Sequence, residues 1–87
     1  MITAAQIRAA RALIGVDQRT LAEASGLSLP TIQRMEASNG QVRGHVDSLT
    51  RVVDALERAG VVLINENATS TAGGRGVRLK QVEGALP

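Results

Sequence analysis

The feature that most constrains the fold is a hinge between two short helical segments within residues 18–39. Ala22 and Gly26 stand four residues apart. A small residue lets two helices approach closely, and glycine adopts the positive φ that the turn after a helix requires. Ser28 then offers an N-cap for a second helix, and apolar residues fall where they would face a shared core, at Leu21, Leu27, Ile32 and Met35. The spacing predicts two amphipathic helices joined by a tight turn.

Upstream of this hinge, a capping pattern and an apolar repeat predict a first helix at about 4–14. Thr3 with Gln6 matches the capping box, in which side chain and backbone satisfy each other at a helix start. Apolar residues then follow helical spacing until Gly15 stops the pattern, at Ile7, Ala10, Leu13 and Ile14.

The two helices of the hinge have their own boundary signals. Asp17 is suited to cap a helix at about 18–25, and Ser28 to cap another at about 29–37. Pro30 is tolerated because it lies in the first turn of that helix, where no intrahelical donor is lost.

A fourth helix is predicted at about 45–59, after a polar loop at 38–44. Its apolar residues follow the i, i+3, i+4, i+7 rule, and Gly60 stands where a C-terminal cap would lie; the apolar positions are Val46, Leu49, Val52, Val53 and Leu56. The four helices are expected to share one compact core, which makes residues 1–60 a single small domain. With 87 residues the chain is only marginally stable alone, so dimerisation is a plausible supplement.

The C-terminal extension, residues 61–87, has a different pattern. A β-branched and aliphatic run at 61–64 precedes a segment rich in Asn, Ser, Thr and Gly, after which residues 77–80 alternate apolar with basic. The simplest prediction is a β-strand pair or hairpin with a long loop and a flexible end. A two-stranded ribbon is marginal in water and its edges invite pairing with another chain. We therefore expect strands near 61–66 and 76–81 to form a homodimer; a tail folded back on its own domain, or a disordered one, remains the alternative.

Composition excludes several classes of protein. There is no cysteine, so disulfides and thiolate metal sites are excluded. No apolar run approaches the roughly 20 residues that span a bilayer, and the N-terminus lacks a basic segment followed by an apolar one. We expect a soluble cytoplasmic protein.

Charge and aromatic content bear on nucleic-acid binding. The net charge is only +2, although all ten cations except Lys80 are arginine, so charge alone is weak evidence. The chain has no Phe, Tyr or Trp, and single-stranded nucleic acids are commonly held by stacking on aromatic rings. Arginine could stack instead, so RNA is disfavoured rather than excluded, and a helix in the major groove of double-stranded DNA is the better prediction.

Catalysis finds little support in the sequence. The only histidine, His45, lies near glycines without a nucleophile-elbow pattern. The eight carboxylates are not clustered at metal-ligand spacing, and the glycines of residues 73–76 lack the lysine and the following helix of a phosphate-binding loop. We predict a protein that is not an enzyme and that holds no metal or cofactor.

A dispersed pattern at fixed spacing runs through the hinge: Gln18-x2-Leu21-Ala22-x3-Gly26-Leu27-Ser28-x3-Ile32-x2-Met35-Glu36. With Arg11 and Gly15 upstream, this pattern resembles the Cro/C1-type helix-turn-helix (XRE) family of bacterial and phage transcriptional regulators. The resemblance covers roughly residues 6–60. It implies a compact four-helix Cro/C1-type domain that binds double-stranded DNA, with the third helix in the major groove, in a nucleoid-associated repressor or autoregulator.

The resemblance also implies which residues contact bases. In this family these positions follow the N-cap of the third helix, and they correspond here to Leu29, Pro30, Gln33 and Arg34. Gln33 could pair with adenine and Arg34 with guanine, each worth roughly 1 to 3 kcal/mol of discrimination. Leu29 and Pro30 could touch only thymine methyl groups or the sugar backbone, which suggests a T-rich step in the site. A position of Leu29 in the core or at a protein contact is the alternative.

Phosphate contacts are expected from groups that flank this helix: Gln18, Arg19, Ser28, Thr31, Asn39, Gln41 and Arg43. For the last three, an ordinary solvated loop is an equally good interpretation. Similar domains pair an arginine of the first helix with the glutamate that ends the third, so Arg11 and Glu36 are expected to form a structural ion pair.

Two function classes remain open. The first is a sequence-specific regulator that binds a palindromic operator as a dimer. The second is a protein-interaction module, such as the antitoxin of a toxin-antitoxin pair, whose tail binds a protein partner. The two are compatible, since antitoxins of this family often bind their own operators.

Overall fold

In the computed structural model, which describes residues 2–65 and 73–80, four helices precede a two-stranded antiparallel sheet. The elements are α1 (Ala4–Ile14), α2 (Gln18–Ser25), α3 (Leu29–Glu36), α4 (Val46–Arg58), β1 (Val61–Ile64) and β2 (Gly76–Leu79). The predicted mainly helical fold with a C-terminal hairpin is confirmed, and the helix limits differ from the predicted ones by at most one residue. None of the helices in these two described ranges is long and apolar enough to span a membrane.

The first three helices begin at the side-chain caps that the sequence predicts. Thr3 Oγ1 accepts the backbone N–H of Gln6 at 3.1 Å, while the backbone N–H of Thr3 donates to Gln6 Oε1 at 2.9 Å, which completes the capping box. Asp17 caps α2 and Ser28 caps α3 by accepting a backbone N–H three residues further on. These boundaries are set by local hydrogen bonds, and local sequence was enough to find them.

The turn between α2 and α3 favours glycine because of its backbone conformation. Gly26 has φ +71°, which side chains disfavour, while a Cβ atom there would meet only the flexible end of the Arg51 side chain, 3.3 Å away at Nη1. The N–H of Leu27 donates to the carbonyl oxygen of Ala22 at 3.0 Å, which closes the C-terminal end of α2. α2 packs against both α3 and α4.

The core lies between the four helices and the inner face of the hairpin; its largest fully buried side chains are Ile2, Ile7, Ile32, Val52 and Leu56. Two residues predicted to face it are instead exposed, which corrects the sequence analysis: Leu13 is 42% and Val46 is 69% exposed. Leu13 lies in the last turn of α1, and Val46 is the first residue of α4. Helical spacing gives the direction of a side chain, but not whether a neighbouring element extends far enough to cover it.

The segment between α3 and α4 is more ordered than the predicted polar loop. Val42 is buried, and its N–H donates to the carbonyl oxygen of Ile2 at 2.9 Å. The N–H of Ala4 donates to the carbonyl oxygen of Gly40 at 3.1 Å, and between these two bonds Thr3 forms an antiparallel bridge with Gln41. The loop is therefore paired with the N-terminal segment of the chain.

The hairpin folds back on the helical domain. β1 and β2 pair with each other in antiparallel register, with Val61 opposite Leu79 and Ile64 opposite Gly76. α1 packs against both strands and α4 against β1. The predicted strand ends at 66 and 81, most of the long loop and the predicted flexible end lie outside the described residues.

Candidate nucleic-acid interface

The two sides of α3 differ sharply in burial. Ile32, Met35 and Glu36 are buried against the rest of the domain. Pro30, Gln33 and Arg34 are exposed, and their spacing of three and four residues places them on one side of the helix. Leu29 is half-buried at the start of α3. Three of the four predicted base-contacting residues thus form one exposed surface, with Leu29 at its margin.

An ion pair with a buried carboxylate anchors the C-terminal end of α3. Arg11 Nε donates to Glu36 Oε2 at 2.7 Å, and Arg11 Nη2 donates to Glu36 Oε1 at 2.7 Å. The guanidinium therefore forms a bidentate ion pair with the carboxylate. The Glu36 side chain is only 4% exposed. Its hydrogen bond to the guanidinium raises the pKa of Arg11 above the ordinary value. The pair connects α1 directly to the last residue of α3 and limits rotation of that helix.

Gln18 belongs to this network. Its Nε2 donates to Glu36 Oε1 at 3.2 Å, so a third element, α2, reaches the same carboxylate. A phosphate contact by this side chain would have to use the second hydrogen of its amide. Arg8, which the sequence analysis did not select, donates from Nη1 to the backbone carbonyl of Glu36. Its position three residues before Arg11, on the same side of α1, was the available signal.

The other predicted phosphate-contacting residues lie around α3 and in the loop after it. Ser28 Oγ lies 2.8 Å from Thr31 Oγ1, and both hydroxyls are engaged at the start of α3. Arg19 is exposed in the first turn of α2. Asn39, Gln41 and Arg43 are exposed in the loop paired with the N-terminus.

Ion pairing divides the arginines into two groups. Within residues 2–65 and 73–80, the salt bridges are Arg11–Glu36, Arg51–Asp47 and Arg58–Asp54. The predicted DNA-facing arginines, Arg19, Arg34 and Arg43, take part in none of them. Their positive charges are not neutralised by a described carboxylate at contact distance, which is the electrostatic condition for attracting an anion.

Within residues 2–65 and 73–80, the side chains that could bind a metal ion are not grouped together. No group of His, Asp and Glu side chains there could hold a metal ion. His45 is exposed immediately before α4 and makes no side-chain hydrogen bond to cap that helix.

Comparison with known proteins yields no match, either to a protein-family model or to a curated protein. The candidate interface is consequently defined by its own geometry. It consists of the exposed side of α3, the start of α2 and the loop at residues 39–43.

Proposed function

We propose that the chain is a sequence-specific double-stranded DNA-binding transcriptional regulator with a Cro/C1-type helix-turn-helix domain that inserts α3 into the major groove. The observation that carries this proposal is the contrast in burial along α3: Gln33 and Arg34 are exposed, while Glu36 is buried and held by Arg11. A helix that contacts base edges must present donors and acceptors in a fixed register, and the buried ion pair supplies that rigidity.

Sequence discrimination is assigned to the exposed side of α3. Arg34 can make two hydrogen bonds to guanine and Gln33 two to adenine, each worth roughly 1 to 3 kcal/mol against a wrong base. Pro30 and the half-buried Leu29 open the helix with apolar groups, which suit thymine methyl groups. The proposed half-site therefore combines a guanine, an adenine and a T-rich step.

Affinity is assigned to the unpaired cations. Arg19 at the start of α2 and Arg43 in the loop flank α3 in the sequence, and Asn39 and Gln41 add neutral donors near Arg43. Because neither arginine has an intramolecular ion pair in the described residues, binding a phosphate breaks no salt bridge. Each phosphate contact releases condensed counterions, so affinity should fall steeply with salt.

The proposed regulator acts as a homodimer on a palindromic operator. Two half-sites about one helical turn apart, roughly 34 Å, match a two-fold symmetric protein. The hairpin offers an edge for pairing with a second copy, and Leu79 on β2 is 52% exposed. We expect Leu79→Lys to shift sedimentation towards the monomer; an unchanged dimer would place the two-fold contact elsewhere.

The decisive experiment is selection of bound fragments from random duplex DNA at physiological salt. Enrichment of a palindrome is the expected result, and Arg34→Ala should relax it at one position in each half-site. Arg58→Ala is the matched control, because Arg58 is also exposed but is paired with Asp54 on α4. A folded protein that enriches no duplex sequence would overturn the proposal.

A protein-interaction module, such as an antitoxin, is the second candidate function. Its supporting observation is the exposure of large apolar side chains at Leu13 and Val46 as well as Leu79. Leu13, Val46 and Leu79 lie on α1, α4 and β2, so each of these elements presents one exposed apolar side chain that a protein partner could cover. If the selection fails, binding to a cognate protein encoded beside this chain becomes the test to perform.

A further inference from the structure

A buried glutamine joins three separate segments of the chain. Gln6 is only 3% exposed. Its Oε1 accepts the backbone N–H of Thr3 at 2.9 Å, and its Nε2 donates to the carbonyl oxygens of Ile64 at 3.0 Å and Gly76 at 3.1 Å. The amide oxygen thus accepts a hydrogen bond from the N-terminal segment, and the amide nitrogen donates one to each strand at the end of the hairpin.

The N-terminal segment in turn holds the loop after α3. Thr3 has φ −99° and ψ 158°, an extended conformation that suits both the cap of α1 and pairing with Gln41. The flanking bonds, from Val42 to Ile2 and from Ala4 to Gly40, close a short antiparallel ladder. Hydrogen bonds of Gln6 therefore reach the hairpin and Thr3, and the residues on either side of Thr3, Ile2 and Ala4, form the hydrogen bonds to the loop.

This ladder sets the direction of the loop side chains. Side chains alternate along an extended chain, so burial of Val42 in the core turns its two neighbours outward. Those neighbours are Gln41 and Arg43, and both are exposed. Without the pairing, a loop that contains Gly40 and Gly44 would sample many conformations and would have to be ordered on binding.

We propose that Gln6 is a positioning residue for DNA binding: it holds the N-terminal segment in the extended form that presents the loop at 39–43 to phosphate. This inference rests on the proposed function for the identity of the ligand. The coupling from Gln6 to the loop is a property of the free protein and can be tested without DNA.

Amide hydrogen exchange of the full chain tests the coupling. In Gln6→Leu, the amides of Ala4 and Val42 should exchange about tenfold faster relative to the Leu56 amide in α4, the factor expected for one lost hydrogen bond. Gln6→Glu retains an acceptor for Thr3 but has no donor for the hairpin carbonyls. It should loosen β1 and β2 while leaving Ala4 and Val42 protected.

Val52→Ala is the control for a general loss of stability, because Val52 is fully buried in α4 and makes none of these bonds. In that variant the amides of Ala4, Val42 and Leu56 should change together. An unchanged exchange ratio in Gln6→Leu would overturn the proposal. Should that variant not fold, the wild-type protein decides: the Gln6 side-chain amide hydrogens must exchange with the same denaturant dependence as the Ala4 and Val42 amides, and a different dependence overturns the coupling.

The salt dependence of duplex binding then tests the positioning role. On the enriched duplex, Gln6→Leu should reduce the slope of log affinity against log salt by about one unit, because the phosphate contact of Arg43 is lost. Val52→Ala should keep the wild-type slope. A full slope in Gln6→Leu despite a loosened loop would overturn the positioning role. If the wild-type protein binds no duplex, the proposed function fails, while the exchange experiment still decides the coupling.

Discussion

The α3 side and the α4 side of this protein use arginine in opposite ways. On α4, Arg51 Nε lies 3.2 Å from Asp47 and Arg58 Nε lies 2.9 Å from Asp54, each pair four residues apart on the helix surface. Arg34 on α3 and Arg43 in the following loop have no such partner among the described residues. The net charge of +2 is therefore unevenly distributed: on α4 the arginines are paired with aspartates, whereas Arg34 and Arg43 are not paired with a described carboxylate.

The same two sides also differ in the depth of their ion pairs. Glu36 is 4% exposed in its pair with Arg11, whereas Asp54 is 61% exposed in its pair with Arg58. Exposed ion pairs contribute little to the free energy of folding because water competes for both charges. Removing one partner of a buried pair leaves the other charge buried without a counter-ion, which costs more. The buried pair on the α3 side should govern stability, and the unpaired arginines should govern binding.

The largest expected effect is on the free energy of unfolding of Glu36→Ala. It should fall by about 3 kcal/mol, the lower end of the usual range, because the Arg11 side chain keeps 21% exposure and can recover some solvation. Asp54→Ala should cost less than about 1 kcal/mol. Denaturant titrations of both variants give the comparison, and equal losses would show that burial does not distinguish the two pairs.

The next effect concerns binding rather than stability. Arg34→Ala should weaken binding to the selected duplex by about 1 to 3 kcal/mol and remove the preference at one base pair. Its melting temperature should stay close to that of the wild type, since Arg34 is exposed and unpaired. Fluorescence anisotropy with matched and single-mismatch duplexes measures both quantities. Undiminished discrimination would remove Arg34 from the base-contacting set.

A smaller and less specific change is expected for Arg43→Ala. Loss of one phosphate contact should lower the salt slope of binding by about one unit on every duplex sequence. Arg51→Ala, on the neutralised α4 side, should leave the slope unchanged. If the two variants behave alike, the unpaired state of Arg43 has no bearing on binding.

The smallest effect is a pH dependence at the start of α2. Hydrogen bonds from Thr20 lower the pKa of Asp17 below its ordinary value of 3.8, so the folded state binds fewer protons at this site than the unfolded state. The stabilisation is present above pH 3.8 and is lost as pH falls through the lowered pKa. Asp17→Asn, which can still cap the helix, should flatten this part of the acid unfolding curve. Identical curves would exclude the contribution.

The sequence predicted the helices well because their boundaries depend on neighbours in the chain. Thr3, Asp17 and Ser28 act on amides three residues away, and Gly26 closes its turn locally. The expected burial of Leu13 and Val46 was wrong, since periodicity cannot show where a covering element ends. Val42 was missed because a lone apolar residue in a polar loop has no periodic signal.

Part of the candidate site could also be predicted from the sequence. The exposed side of α3 follows from its cap and its period, and Arg11 with Glu36 was suggested by family resemblance. The Gln18 contact to that carboxylate, and the contact of Arg8 to its backbone, join residues 18 and 28 positions apart in sequence. Local sequence predicts neither contact directly; for Arg8 it indicates only that this residue lies on the same side of α1 as Arg11.

The sequence by itself determined where the helices start and stop and which side of each is apolar, because caps, glycine turns and periodicity act over three or four residues. Only the tertiary structure decided which arginines are neutralised, which apolar residues are covered, and that Gln6 links the hairpin to the loop after α3. Those properties depend on segments that meet in space from distant parts of the chain. They are determined by burial and by the hydrogen bonds that buried polar groups must make. Neither is a property of a short stretch of sequence.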